Sequence, residues 1–224
     1  MNSIRSPDTY TLNHTTINVY FVEHSPKDAK SRARDDARRA RASRRRPDHS
    51  PTPTPHAMVD VETVQRTWAL VASSDDAVDA AGRAFFARIF DIAPGAVELF
   101  ASFRDVPEES RYESPAFVRH ARAVMTAVDV AVKGLRDLDA LAPALENLGA
   151  RHVGYGVAEA HYDVVGRALL ETLASALGDD AWTPAAREAW TATWEVVKTT
   201  MIRGAREFER KNLGRDAGDA TASA

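Results

Sequence analysis

The feature that most constrains this chain is the helical spacing of its apolar residues from Met58 onward. Val61, Val64, Trp68 and Val71 recur at intervals of three and four residues, so they share one face of a helix. After Met58 we find no internal repeat and no alternation of apolar and polar residues of the kind that is typical of a strand. The sequence therefore predicts an all-α domain.

Capping residues and prolines mark where the predicted helices begin. Ser114-Pro115 and Thr183-Pro184 each place a hydroxyl residue before a proline, an arrangement that favours a helix start, and Asp75-Asp76 can cap a third helix. Gly178 predicts a break in the helix before it. The predicted helical segments are one holding Val61–Val71, one that follows Asp75-Asp76, a short turn from Pro94 to near Phe100, and helices over 115–132, 138–153, 159–177 and 184–209.

Composition divides the chain into three parts. Residues 1–57 hold six of the 11 prolines and carry 11 basic and 6 acidic side chains, whereas the rest of the chain carries 18 basic and 26 acidic ones. We therefore predict a disordered basic and proline-rich extension over 1–57, a folded domain over 58–212 and a disordered tail over 213–224. An apolar cluster between Tyr10 and Val22 favours one short strand, which has no evident partner. Met58 as the native start is an alternative.

Several classes of protein and site are disfavoured. Because the chain has no cysteine, disulfides and thiolate-ligated metals are excluded, and a metal has to be held by histidine or carboxylate. No apolar run approaches the roughly 20 residues of a membrane span, and the N-terminus has no secretory signal pattern, so we expect a cytoplasmic protein with no membrane partner. The basic stretch 27–46 has no aromatic residue, which favours a solvated tail over a nucleic-acid-binding surface.

Two histidines interrupt apolar stripes on separate predicted helices. His120 lies at helical spacing from Phe117 and Val124, and His152 lies at helical spacing from Leu148. A buried imidazole needs a partner for its ring nitrogens, and a metal is one such partner. Large apolar and aromatic side chains surround the pair in the sequence: Phe86, Phe100, Phe103, Val124, Leu148, Val157 and Tyr162. This set suits a flat hydrophobic macrocycle with a central metal. On the residues alone, an ordinary core remains the alternative, and His161 is interpreted as structural or surface-exposed.

Five segments carry a resemblance to a known family. They are 114–120 (SPAFVRH), 124–129 (VMTAVD), 148–152 (LGARH), 165–170 (VGRALL) and 182–190 (WTPAAREAW). Together they resemble the globin family, most nearly its neuroglobin type, over about 61–205 and over none of 1–57. The resemblance implies a three-over-three helical sandwich in which helices cross at about 50°. It also implies haem b as the cofactor.

The resemblance also implies roles for individual residues. His152 matches the proximal histidine that binds the haem iron, and His120 matches the distal histidine, a candidate sixth ligand. Phe100 matches the phenylalanine on the porphyrin face, and Pro94 matches the proline that opens the short third helix. The positions that match the pocket lining are Phe86, Val124, Leu148, Val157 and Tyr162.

The implied function is reversible binding of O2, or of another diatomic gas such as NO or CO, for oxygen binding or transport. The alternative is a haem redox enzyme, a nitric oxide dioxygenase or nitrite reductase, that depends on an external reductase. A helical interaction module without cofactor is a third hypothesis. Two departures bear on the choice. Ala123 stands where neuroglobins have a basic residue near the propionates, and Phe86 and His120 stand where flavohaemoglobins have tyrosine and glutamine.

Overall fold

The structure, a computed structural model, describes the backbone of residues 9–12, 15–18 and 59–222 and the side chains of 59–213. The helices are α1 (Val61–Val71), α2 (Asp75–Ile92), α3 (Glu108–Arg111), α4 (Pro115–Gly134), α5 (Leu138–Gly154), α6 (Glu159–Ala181) and α7 (Pro184–Ala222), with a 3-10 helix at Pro94–Leu99 between α2 and α3. Every regular element from residue 59 to residue 222 is helical, which confirms the all-α prediction for this part of the chain. None of the described helices is both long and apolar enough to cross a membrane.

The predicted helix starts are mostly confirmed by capping hydrogen bonds. The Ser114 hydroxyl accepts from the Phe117 N–H at 3.3 Å, and the Thr183 hydroxyl accepts from the Ala186 N–H at 3.2 Å. At α2 the cap is Ser74, one residue before the predicted aspartates, and its hydroxyl accepts from the Ala77 N–H. The predicted break at Gly178 is a kink with a φ of 64°, after which helical structure resumes to Ala181.

Two details near the ends of the chain differ from the predicted elements. Helix α7 continues to Ala222 instead of ending near Glu209. Residues 205–213 are rich in arginine, glutamate and lysine, which favour helix and extend it past the packed core. Near the N-terminus, the single strand predicted without a partner is part of a pair, because Thr9–Leu12 and Thr15–Asn18 form an antiparallel hairpin. The rest of the predicted extension lies outside the described residues.

The buried side chains form two cores of unequal size. The larger core joins α1, α2, α4, α6 and α7, and its largest fully buried members include Trp190, Phe86, Phe103 and Phe117. The smaller core consists of Leu141, Leu145, Tyr162 and Met201, from α5, α6 and α7. Leu138 and Trp194 pack against both cores. The larger core is therefore the main source of hydrophobic stability, and the smaller one attaches α5 to the rest of the domain.

A close crossing of α5 and α7 fixes the position of α5. A Cβ atom at Gly149 would overlap the Met201 carbonyl, and one at Gly204 would overlap the Glu146 carbonyl, so the two backbones are in direct contact. Only glycine allows this approach at either position. Because Gly149 lies one turn before His152, the crossing also determines where His152 stands relative to α7.

Candidate functional site

His152 lies in the last turn of α5, and its ring orientation is fixed by the helix itself. Its Nδ1 is 2.7 Å from the carbonyl oxygen of Leu148, one turn earlier. A carbonyl oxygen only accepts, so Nδ1 carries the proton and Nε2 keeps its lone pair. Burial lowers the pKa of His152, although the hydrogen bond to Leu148 opposes this effect. The ring is therefore a neutral imidazole whose Nε2 is chemically able to bind a metal.

His120 lies in α4 and is enclosed by phenylalanine rings. Its ring centroid is 5.3 Å from Phe86, 5.3 Å from Phe100 and 5.7 Å from Phe103. Burial, and to a smaller extent the charge that His152 can carry, lower the pKa of His120 from 6.5 to about 4. Helices α4 and α5 are in contact, and His152 lies within electrostatic reach of His120.

The other predicted site residues divide between the two sides of this region. Phe86 and Phe103 are buried in the larger core, and Phe100 and Val124 pack against that core. Tyr162 is buried in the smaller core, and Leu148 and Val157 pack against it. The Val157 N–H also donates to the His152 carbonyl at 3.1 Å, so the turn after α5 holds this valine close to the histidine. Aromatic rings thus surround His120, and mainly aliphatic side chains and a tyrosine surround His152.

The donor set indicates what kind of metal could be held. Among residues 59–213, no group of three or more histidine, aspartate or glutamate side chains is arranged to hold a metal ion. A bare ion would therefore receive two imidazoles and no carboxylate, which is too few ligands for a stable protein site. A metal that brings its own in-plane nitrogen ligands needs only axial donors and apolar walls, and these residues supply both. The arrangement fits a metallated macrocycle.

Ala123 stands where neuroglobins have a basic residue near the haem propionates, and the neighbouring cation, Arg122, is paired with another residue. Its guanidinium group forms a two-pronged ion pair with Asp79 of α2, with Nε 2.9 Å from Oδ1. Hydrogen bonding to Arg122 lowers the pKa of Asp79, as expected for a carboxylate paired with a guanidinium. The pair joins the helix that carries His120 to the helix that carries Phe86, which is a structural role.

Sequence reasoning missed one aromatic neighbour of His152. The Tyr155 ring lies edge-on to the His152 ring at 5.9 Å, and Tyr162 lies on it at 6.4 Å with an interplanar angle of 35°. A spacing of three residues from His152 could have indicated Tyr155, because residues three apart are neighbours on a helix. His161 is structural as interpreted, since its Nδ1 accepts from the Ala158 N–H at 3.0 Å and caps α6.

Comparison with known proteins agrees with this geometry. The sequence model of the globin family matches residues 83–201. A neuroglobin from Danio rerio is 37% identical over 135 residues, which cover 58% of this chain and 83% of that protein. The crystal structure of a hexacoordinated haem protein from an anhydrobiotic tardigrade at pH 4 has a TM-score of 0.59 at 21% identity, covering 66% of this chain and 93% of that one, and it supports the fold. The chain belongs to the globin family and is similar to neuroglobins.

Proposed function

We propose that this chain holds haem b between His152 and His120 and reversibly binds O2 or another diatomic gas. The observation that carries the proposal is how the two imidazoles are held: His120 packs against three phenylalanine rings, and His152 is oriented by its hydrogen bond to the Leu148 carbonyl. Membership of the globin family supports a haem cofactor. The similarity to a neuroglobin supports the neuroglobin-like arrangement of a histidine on each side.

His152 is the proposed proximal ligand. Its Nδ1–H is held by the Leu148 carbonyl, so the ring is oriented before anything binds to Nε2. A haem held by His152 would supply an iron atom able to bind a diatomic gas reversibly. Leu148 and Val157, which pack against the smaller core, would give the His152 side apolar walls.

His120 is the proposed distal residue. Because its pKa is about 4, the ring is neutral at pH 7 and offers one N–H donor and one nitrogen lone pair. The N–H can donate to a polar diatomic ligand, and the lone pair can instead act as a second axial ligand at rest. Phe86, Phe100 and Phe103 have no donor, so stabilisation of a bound gas by hydrogen bonding rests on His120. If His120 is the resting ligand, the apparent gas affinity falls in proportion to the open fraction.

Absorption spectra of the full chain in ferric, ferrous and CO-bound forms test this proposal. We expect an intense Soret band in the reconstituted wild type. His152→Ala should lose most of its haem, because it removes the proposed proximal bond. His120→Leu should keep its haem, with a changed ferrous spectrum and faster gas release. His161→Ala is the control for loss of a histidine with no proposed bond to iron, because His161 caps α6.

A colourless wild-type chain in the presence of excess haem would refute the proposal. An unchanged spectrum in His152→Ala would refute the axial assignment alone. Oxygen transport, a cytoplasmic location and an external reductase stay predictions of the sequence. Sustained nitrate production from NO, in the presence of a reductant, would favour the redox enzyme instead.

A further inference from the structure

The Tyr162 hydroxyl is a buried polar group without a hydrogen-bond partner among the described residues. Tyr162 is 5% exposed and belongs to the smaller core, where its companions are Leu141, Leu145 and Met201. None of these side chains can accept a hydrogen bond from the phenol through an oxygen or nitrogen atom. A buried hydroxyl without a partner is rare in folded proteins and reduces stability relative to phenylalanine.

Two polar groups near Tyr162 form hydrogen bonds with other residues and none with its hydroxyl. Burial, and after it the charge of Glu159, raise the pKa of Tyr162, and the Glu159 carboxylate accepts from Arg206 at 2.6 Å and 2.7 Å. The Nδ1–H of His152 is donated to the Leu148 carbonyl. The described residues therefore leave the Tyr162 hydroxyl without a partner.

The position of Tyr162 indicates where a partner would enter. Its ring lies on the His152 ring at 6.4 Å, so the phenol stands on the same side of the site as the proposed proximal ligand. Resemblance to the family already assigns Tyr162 to the pocket lining. We propose in addition that its hydroxyl donates a hydrogen bond to an acceptor that enters with the haem. The acceptor is a haem carboxylate or a water molecule trapped against the haem. This inference rests on the proposed function.

Tyr162→Phe in the haem-loaded full chain is the direct test, because it removes the hydroxyl and keeps the ring. The rate of haem loss to an excess of a haem-scavenging protein should rise about 3- to 30-fold, as expected for one lost hydrogen bond. The control is Tyr112→Phe, which removes a phenol that packs against Phe117 in the larger core and should change the rate less than twofold. A role of the ring in packing alone would leave both rates unchanged.

A spectroscopic measurement gives a second readout. The ultraviolet resonance Raman difference between loaded wild type and loaded Tyr162→Phe should show a tyrosine that donates a hydrogen bond. Repeating the haem-loss measurement with haem dimethyl ester identifies the acceptor. If the effect of Tyr162→Phe shrinks with the ester, the acceptor is a carboxylate, and if it persists, the acceptor is a trapped water.

The inference is wrong if Tyr162→Phe loses haem no faster than Tyr112→Phe and the difference spectrum shows a phenol that donates no hydrogen bond. This failure differs from failure of the proposed function. If only the inference about Tyr162 fails, the wild type still binds haem and depends on His152 for it. If the proposed function fails, the wild type does not bind haem at all.

Discussion

The site has one histidine on each side, His120 and His152, and the two rings are held in different ways. On one side, three phenylalanine rings at 5.3 to 5.7 Å pack around His120. On the other, His152 is anchored to a backbone carbonyl at 2.7 Å and flanked by two tyrosines. Burial lowers both pKa values, and for His152 the hydrogen bond to Leu148, which favours the charged form, opposes this effect.

A hydrogen bond and ring packing position an imidazole in different ways. A backbone hydrogen bond fixes both the tautomer and the rotation of a ring, which suits a permanent metal ligand. Packing among phenyl rings fixes the position but leaves the choice of tautomer to other contacts. The His152 side therefore suits the proposed proximal ligand, and the His120 side suits the proposed distal residue. The following predictions test this contrast in order of decreasing effect.

The largest expected effect is on the His152 side, at the crossing of α5 and α7. Gly149→Ala places a methyl group on the Met201 carbonyl, so the two backbones have to separate. We expect a loss of about 3 kcal/mol in the free energy of unfolding, measured in urea, because backbone is less able to move aside than side chains. Displacement of α5 should also weaken haem retention through His152.

Gly154→Ala is the matched control for this substitution. It lies in the same helix, and a Cβ there meets no atom within 4 Å. Replacing an exposed helical glycine with alanine should leave stability unchanged or raise it by up to about 1 kcal/mol. Equal effects of Gly149→Ala and Gly154→Ala would contradict the close contact between α5 and α7.

The next largest expected effect is the change in the free energy of unfolding with pH that arises from His120. Between pH 6.5 and about 4, His120 is protonated in the unfolded chain and neutral in the folded one. The unfolded state then binds more protons, so stability falls as the pH is lowered through this window, by up to about 3 kcal/mol. His152 acts in the same direction, because burial also lowers its pKa.

Urea unfolding of the haem-free chain between pH 4.5 and 7 measures the slope of the free energy of unfolding against pH. His120→Leu should make this slope shallower, since the variant has no imidazole to protonate at that position. His161→Ala, which removes a histidine with a capping role, should leave most of the slope in place. A slope that is identical in wild type and His120→Leu would show that His120 is not buried as a neutral group.

The sequence predicted what depends on local spacing and missed what depends on contacts between distant residues. Helices α1, α4 and α5 followed from apolar periodicity, and the hydrogen bond of His152 to Leu148 is a consequence of their separation by one helical turn. Helix α3, at Glu108–Arg111, is too short to show a period. The contact of Gly149 with Met201 joins residues more than fifty positions apart, and nothing in either segment indicates the other.

The sequence does not indicate how the predicted site residues divide between the two cores. Phe86 and Val124 belong to or pack against the larger core, and Leu148 and Tyr162 pack against or belong to the smaller one. This division depends on how α5 docks on α7, which local patterns do not encode. The unpartnered hydroxyl of Tyr162 is likewise visible only in the three-dimensional arrangement.

The smallest expected effect compares one interhelical ion pair from each side. Asp79–Arg122 joins α2 to α4 near His120, and Glu146–Arg203 joins α5 to α7 near His152, with Nε 2.6 Å from Oε1. Asp79 has the less exposed carboxylate and receives two hydrogen bonds, whereas Glu146 is more exposed and has one such bond to Arg203. Exposed ion pairs contribute little to stability, and salt screens them.

We therefore expect Asp79→Ala to lower the Tm by a few degrees at most, and Glu146→Ala by less. The difference between the two variants should shrink in 1 M salt, and the reverse order would mean that polar contacts stabilise the His152 side more strongly than the His120 side.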